Sequence, residues 1–211
     1  MPIVRDDLET WLAVRDSVPW QTLGGTVEPV TGRRDGIAVF VDTVVRQRDP
    51  ARADTLLKAL AGVRAAKDAE LSFELMARWL GERAEFRTTP AFAKGGRERY
   101  GLDETTPRRF RECLAESHDP AVPLAARAAR VYLDVCFFHP FPDGNARAAM
   151  LAFAHLLVRD GVTVGQAGPL LLVARRADDR AGTLALVKLV EVLIGRLPAR
   201  GTEHVAHALA P

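Results

Sequence analysis

The chain has 211 residues, 48% of them hydrophobic and 27% charged, with a formal net charge of +2. That length suits one well-packed domain and is short for two. The balanced charge and an aromatic content of 7% give no case for nucleic acid, a single-strand stacking platform or an anionic membrane surface. The two cysteines, Cys113 and Cys136, lack metal-ligand spacing and read as reduced, buried thiols. The N-terminal stretch MPIVRDDLETWL has no basic-then-apolar order, and no uncharged apolar run approaches the ~18 residues that a membrane span needs. A soluble, cytoplasmic protein is expected.

In chain order, residues 6–15 put Leu8, Trp11 and Leu12 on one helical face behind acidic residues, a helix start. Gly24 to Gly36 is dense in Gly and Pro and reads as a loop. Val39–Val45 is apolar and β-branched, and periodicity leaves strand and buried helix both open. From Ala51 to Phe86 the pattern is helical, with Leu56, Leu57, Leu60 and Val63 on one face and Leu71, Leu75, Met76, Trp79 and Leu80 on another. Residues 86–101, FRTTPAFAKGGRERYG, read as a loop or short hairpin. Thr106-Pro107 opens a helix to about Ser117, with the threonine as cap and the proline at the first helical position. Pro123–Phe138 and Asn145–Arg159 are two apolar helices, the second buried nearly all round and ended by Gly161. Thr183–Leu197 is a last amphipathic helix. The reading is one mostly helical, all-α domain over 1–197, with a flexible tail at 198–211.

Between the two apolar helices stands FHPFPDGNAR, residues 138–147. Pro140 and Pro142 each lack a backbone donor and push the residue before them out of the α region. His139 and Phe141 are therefore expected in extended geometry at the mouth of the second helix. The first N–H groups of that helix have no internal partners and, with the helix dipole, make an anion site. Gly144 lets a phosphate approach those amides. Asn145 can donate to a phosphate oxygen and Arg147 can chelate one in a fork. Asp143 is placed to hold a divalent cation that also touches phosphates. His139 titrates near neutrality and can take a proton from a hydroxyl. Base, metal carboxylate, phosphate cradle and charge clamp together suit transfer of a phosphate-containing group. Asp143 or Asn145 alone would serve as an ordinary helix N-cap, which does not explain both beside His139. Arg147, in the first turn of a buried helix, opposes the dipole and needs an anion.

The segment resembles the signature of the Fic/Doc family, H-x-F-x-(D/E)-G-N-x-R-x-x-R, through His139, Phe141, Asp143, Gly144, Asn145 and Arg147, with a proline at 140 that is common there. The resemblance, with its core at about 70–160, implies an all-α, mainly helical Fic fold with a short β-hairpin flap, and a transferase that moves a nucleotidyl group, AMP by default, from ATP or another nucleotide onto a hydroxyl, with Mg2+. It implies His139 as base, Asp143 as magnesium ligand, and Gly144, Asn145 and Ala146 holding the phosphates. Arg147 then balances diphosphate charge, and Phe141 anchors the loop in the core. It further implies a hairpin flap for a protein target at 86–101, with Ala93, Lys94, Gly95 and Gly96 in it and Phe86-Arg87 before it. The partners implied are a nucleotide donor and a protein target, with a separate regulatory or antitoxin partner left open.

Two positions depart from the pattern: Ala146 adds a methyl near the phosphates, and Met150 stands where the family has its second arginine. Losing one charge-assisted contact costs about 1.5–3 kcal/mol, roughly one to two decades in affinity. No glutamate has Ser or Thr four residues earlier, so no inhibitory helix of the family's (S/T)-x-x-x-E-(G/N) kind is recognisable. A Doc-like phosphoryl transferase and a degenerate nucleotide- or protein-binding module are the alternatives. His118 and His155 read as structural, His204 and His207 lie on the tail, and Lys94, Arg97 and Arg99 read as solvated loop charges.

Overall fold

A computed structural model describes residues 5–25, 28–32 and 34–195. The tail at 198–211, with His204 and His207, and the end of the expected last helix lie outside the described residues.

Helix α1 (Asp7–Ser17) starts where Asp6 accepts from the backbone N–H groups of Leu8 and Glu9. The ambiguous apolar run is helical: α2 (Gly36–Phe40) passes through a π-helical turn (Val41–Val45) into α3 (Arg46–Arg48). The helical stretch expected from 51 to 86 is two helices, α4 (Pro50–Ala65) and α5 (Phe73–Leu80). Ser72 caps α5 by accepting from Leu75 N–H, and Gly81, with φ +73°, ends it. The hairpin pairs β1 (Ala91–Ala93) with β2 (Glu98–Tyr100), Phe92 opposite Arg99. Helix α6 (Thr106–Glu116) follows, but its cap is Asp103, whose carboxylate accepts from the backbone N–H groups of Thr105 and Thr106. A carboxylate there takes two orphan donors where the expected threonine would take one.

Helices α7 (Leu124–Phe138) and α8 (Asn145–Arg159) form the central pair, joined by residues 139–144. α9 (Gly168–Leu171) is a single turn, and α10 (Arg180–Ile194) starts three residues before the expected Thr183, capped by Asp179. α10, α6 and α1 pack on α7, while α4 and α5 pack on α8. α1 belongs to this core: buried Asp134 of α7 accepts from Trp11 Nε1 at 2.9 Å and Arg15 Nε at 2.8 Å. Among the described residues no helix is long and apolar enough to cross a membrane.

Candidate active site

Helix α7 stops because Pro140 has no N–H to continue it. His139 forms the last bond of the helix, donating its N–H to Val135 O at 3.3 Å. Its backbone is left-handed (φ 47°, ψ 55°), not extended as expected. The proline forbids only the right-handed α region, and a helix C-terminus is often closed by a left-handed residue. The turn points the imidazole back along its own helix, where Nδ1 lies 2.6 Å from Cys136 O. A carbonyl only accepts, so Nδ1 carries the proton and Nε2 keeps its lone pair. Burial pushes the His139 pKa down from its ordinary value; the Cys136 bond opposes this, Arg87 adds to it, and Glu98 opposes it again. The imidazole is therefore neutral at pH 7.

The hairpin closes over this imidazole. Tyr100, 2% exposed, stacks on the His139 ring and donates its O–H to Glu98 Oε2 at 2.6 Å. Lys94 Nζ reaches Glu98 Oε1 at 2.6 Å and Arg175 O at 3.1 Å. Burial would raise the Glu98 pKa, but Lys94 and Tyr100 together outweigh it and hold the carboxyl below its usual value. Arg87 binds the hairpin to the turn after α7. Its guanidinium donates to His139 O at 2.9 Å, Thr89 O at 2.7 Å and the carbonyls of Phe138 and Gly101. A cation at the C-terminus of α7 also favours the helix dipole. Lys94 and Arg99 are ion-paired, to Glu98 and Asp6, and Arg97 donates to Lys94 O at 2.9 Å. Ala93 half-faces the chain interior, while Gly95 and Gly96 occupy the exposed tip with φ +68° and +84°.

Below His139, Phe141 is fully buried and stacks on Phe73 with centroids 4.9 Å apart. Asn145 holds the loop as a two-bond clip. Its Oδ1 accepts from Phe141 N–H at 2.9 Å and its Nδ2 donates to Phe141 O at 2.8 Å. One amide hydrogen of Asn145 is left over for a ligand. The ladder of α8 begins with Ala148 N–H on Gly144 O at 2.9 Å, so the amides of 145–147 precede it. Gly144 sits at φ +81°, where a Cβ would meet Arg147 Nη2 at 2.7 Å. Arg147 is not an unpaired cation: it folds over Gly144 to Asp143 Oδ2 at 2.9 Å, and the Asp143 side chain is 88% exposed. An exposed i,i+4 pair is worth about 0.3–0.5 kcal/mol. A charge-assisted phosphate contact is worth about 1.5–3 kcal/mol, enough for an entering phosphate to outweigh the pair.

These groups line one cavity of about 1110 Å³ that runs from the hairpin past His139 to Asp143, Gly144, Asn145, Ala146 and Arg147. Met150 is 5% exposed and packs in the core, not on that lining. Sequence reasoning missed Tyr100, Tyr132, Arg175 and the first turn of α4, which also line it; no local pattern marks them. His155 and His118 are structural as expected, held at Ala69 O and Leu71 N–H.

Among the described residues no three metal-ligating side chains cluster. A divalent cation would rest on Asp143 and on a ligand's phosphates, which is how magnesium is usually bound; one exposed, weakly paired carboxylate beside the α8 amides fits that.

Residues 68–157 match the family model described as the Fic/DOC family. No curated protein sequence matches the chain. IbpAFic2 covalently tethered to Cdc42 is similar in fold, with TM-score 0.57 and 13% identity, covering 88% of this chain and 69% of that one. IbpAFic2 in a variant form with adenylylated Cdc42 gives 0.56 and 11%, covering 88% and 69%. IbpAFic2 alone gives 0.54 and 13%, covering 88% and 68%. The helical fold with a small antiparallel hairpin is that of Fic domain proteins.

Proposed function

We propose, on the premise that residues 68–157 are a Fic/DOC segment set in a Fic-type fold, that this chain moves a nucleotidyl group, AMP by default, from a nucleotide onto a protein hydroxyl. The observation that carries the reading is the neutral His139 with Nδ1 fixed on Cys136 O, in one cavity with the first turn of α8.

In the proposed reaction Nε2 of His139 takes the hydroxyl proton as the hydroxyl oxygen bonds to the α-phosphorus. The bond from that phosphorus to the bridging oxygen breaks, and pyrophosphate leaves with the electron pair. The amides at Gly144 and Ala146, the remaining hydrogen of Asn145 and the Arg147 fork hold the phosphates. Asp143 would hold Mg2+, which when bound neutralises phosphate charge. The hairpin at 91–100 orients the target beside the base. Fold-level likeness to IbpAFic2, which is seen with adenylylated Cdc42, favours a protein target by analogy.

A phosphoryl transferase would use the same cavity with the donor inverted. A binding module without chemistry is favoured by one observation, the Asp143–Arg147 pair, which engages the metal carboxylate and the phosphate clamp with each other.

The test is incubation with ATP labelled on the α- or the γ-phosphate, with magnesium and cell lysate, beside His139→Ala. Label from the α position alone supports nucleotidyl transfer. Label from the γ position alone makes the protein a kinase. Absence of label from every nucleotide and diphosphate-linked donor would sink the enzyme reading.

A further inference from the structure

The cavity is lined by five cationic side chains, Arg52, Arg87, Lys94, Arg147 and Arg175. Three are engaged by the protein itself: Arg87 on backbone carbonyls, Lys94 on Glu98 and Arg147 on Asp143. The side chains of the other two make no ion pair or hydrogen bond with the described residues. Arg175 has Nε and Nη2 sealed from solvent without a partner, close enough for its charge to act on Tyr132 and Cys136 of α7.

Arg52 stands differently. It is in the first turn of α4, its backbone N–H on Asp49 Oδ1 at 2.9 Å and its side chain exposed. A cation there opposes the helix dipole, so the helix itself does nothing to hold it and an anion would. α4 packs against α8, which brings Arg52 into the cavity of Gly144 and Arg147. The next α8 residue on the Arg147 side, Met150, is in the core. A phosphate chain longer than the first turn of α8 can hold therefore finds no charge on α8.

We propose that Arg52 binds the terminal phosphate of the donor and so selects for a longer phosphate chain, while the first turn of α8 takes the inner phosphates. This rests on the site being a nucleotide site. Asp49, which also lines this wall, sharpens the selection: its charge repels a phosphate that Arg52 does not neutralise.

The test is binding of AMP, ADP and ATP to the full chain with magnesium, by calorimetry. Arg52→Ala is expected to weaken ATP about ten- to hundredfold, ADP less, and AMP by under about threefold. Arg52→Lys, a point charge without the fork, recovers part of the loss. Lys58→Ala, an exposed cation on α4 outside the cavity lining, leaves all three unchanged. Arg52 is an exposed helical position where alanine folds at least as well, and an unchanged Tm checks this. Equal loss for all three nucleotides, or none, overturns the assignment of Arg52 and leaves the nucleotide site standing. A wild-type chain that binds none of them overturns both.

Discussion

The ring of Tyr100 lies flat on that of His139, with centroids 4.2 Å apart and planes 11° from parallel. The contact joins the hairpin, which the target would meet, to the group that would take its proton. In the proposed reaction Tyr100 would act through His139, as a positioning residue. Tyr100→Ala is expected to lower kcat about tenfold, the scale of one ring pair, with donor KM unchanged. Tyr100→Phe keeps the stack and loses only the Glu98 bond, so about threefold or less is expected. Single-turnover label transfer measures both; equal losses would move the role from ring to hydroxyl.

The depressed His139 pKa sets the pH dependence. Burial disfavours imidazolium, so the base is neutral above a midpoint lower than the ordinary value of about 6.5. kcat/KM should rise with pH through that midpoint and then level off, measured with enzyme and donor at constant ionic strength. A midpoint above 6.5 would contradict the burial argument.

His155 supplies a stability counterpart. It is fully buried, with Nε2 on Ala69 O at 3.0 Å and Nδ1 without a partner, and burial pushes its pKa down to about 4. Between about pH 6.5 and 4 the unfolded chain binds the proton that the folded chain refuses. Stability is therefore full above about 6.5 and falls as pH drops through that window. His155→Gln should flatten Tm against pH there, read by circular dichroism.

Asp134 is fully buried and faces Arg15 Nε at 2.8 Å and Nη2 at 3.2 Å. Asp134→Ala leaves the Trp11 indole without its acceptor and the buried Arg15 with only the half-exposed Glu116, at 2.9 Å from Nη2. A loss of about 3–5 kcal/mol is expected, a Tm drop on the order of 10 °C. Asp134→Ala with Arg15→Met should recover part of it, because the stranded charge leaves too.

Met150→Arg would restore the family's arginine at a position that is 5% exposed. Burying a cation without a partner should lower stability by about 2–4 kcal/mol, seen in urea melts. An unchanged midpoint with tighter ATP binding would mean that this side chain turns into the cavity instead.

Local pattern carried most of what the sequence could say. The helix bounds of α7 and α8 follow from 3.6-residue periodicity and from two prolines between them, and FHPFPDGNAR places a histidine, a carboxylate, an amide and an arginine within nine residues. Those features are short-range: each depends on neighbours within one or two turns. The left-handed backbone of His139, the Asn145–Phe141 clip and the Arg147–Asp143 pair were not legible because each was one of several allowed outcomes of the same local sequence. Choosing among them took contacts from outside the motif. Arg87, Tyr100 and Arg52 reach the site from 39 to 87 residues upstream of His139. The packing of α4 on α8, and of the hairpin on α7, brings them there. Sequence by itself determined the central helix pair and the candidate polar groups between its members, since periodicity and a motif are properties of adjacent residues. Tertiary structure alone decided which tautomer the base holds, which cations are already neutralised and which remains open to a ligand, because partners in space are set by packing across the chain.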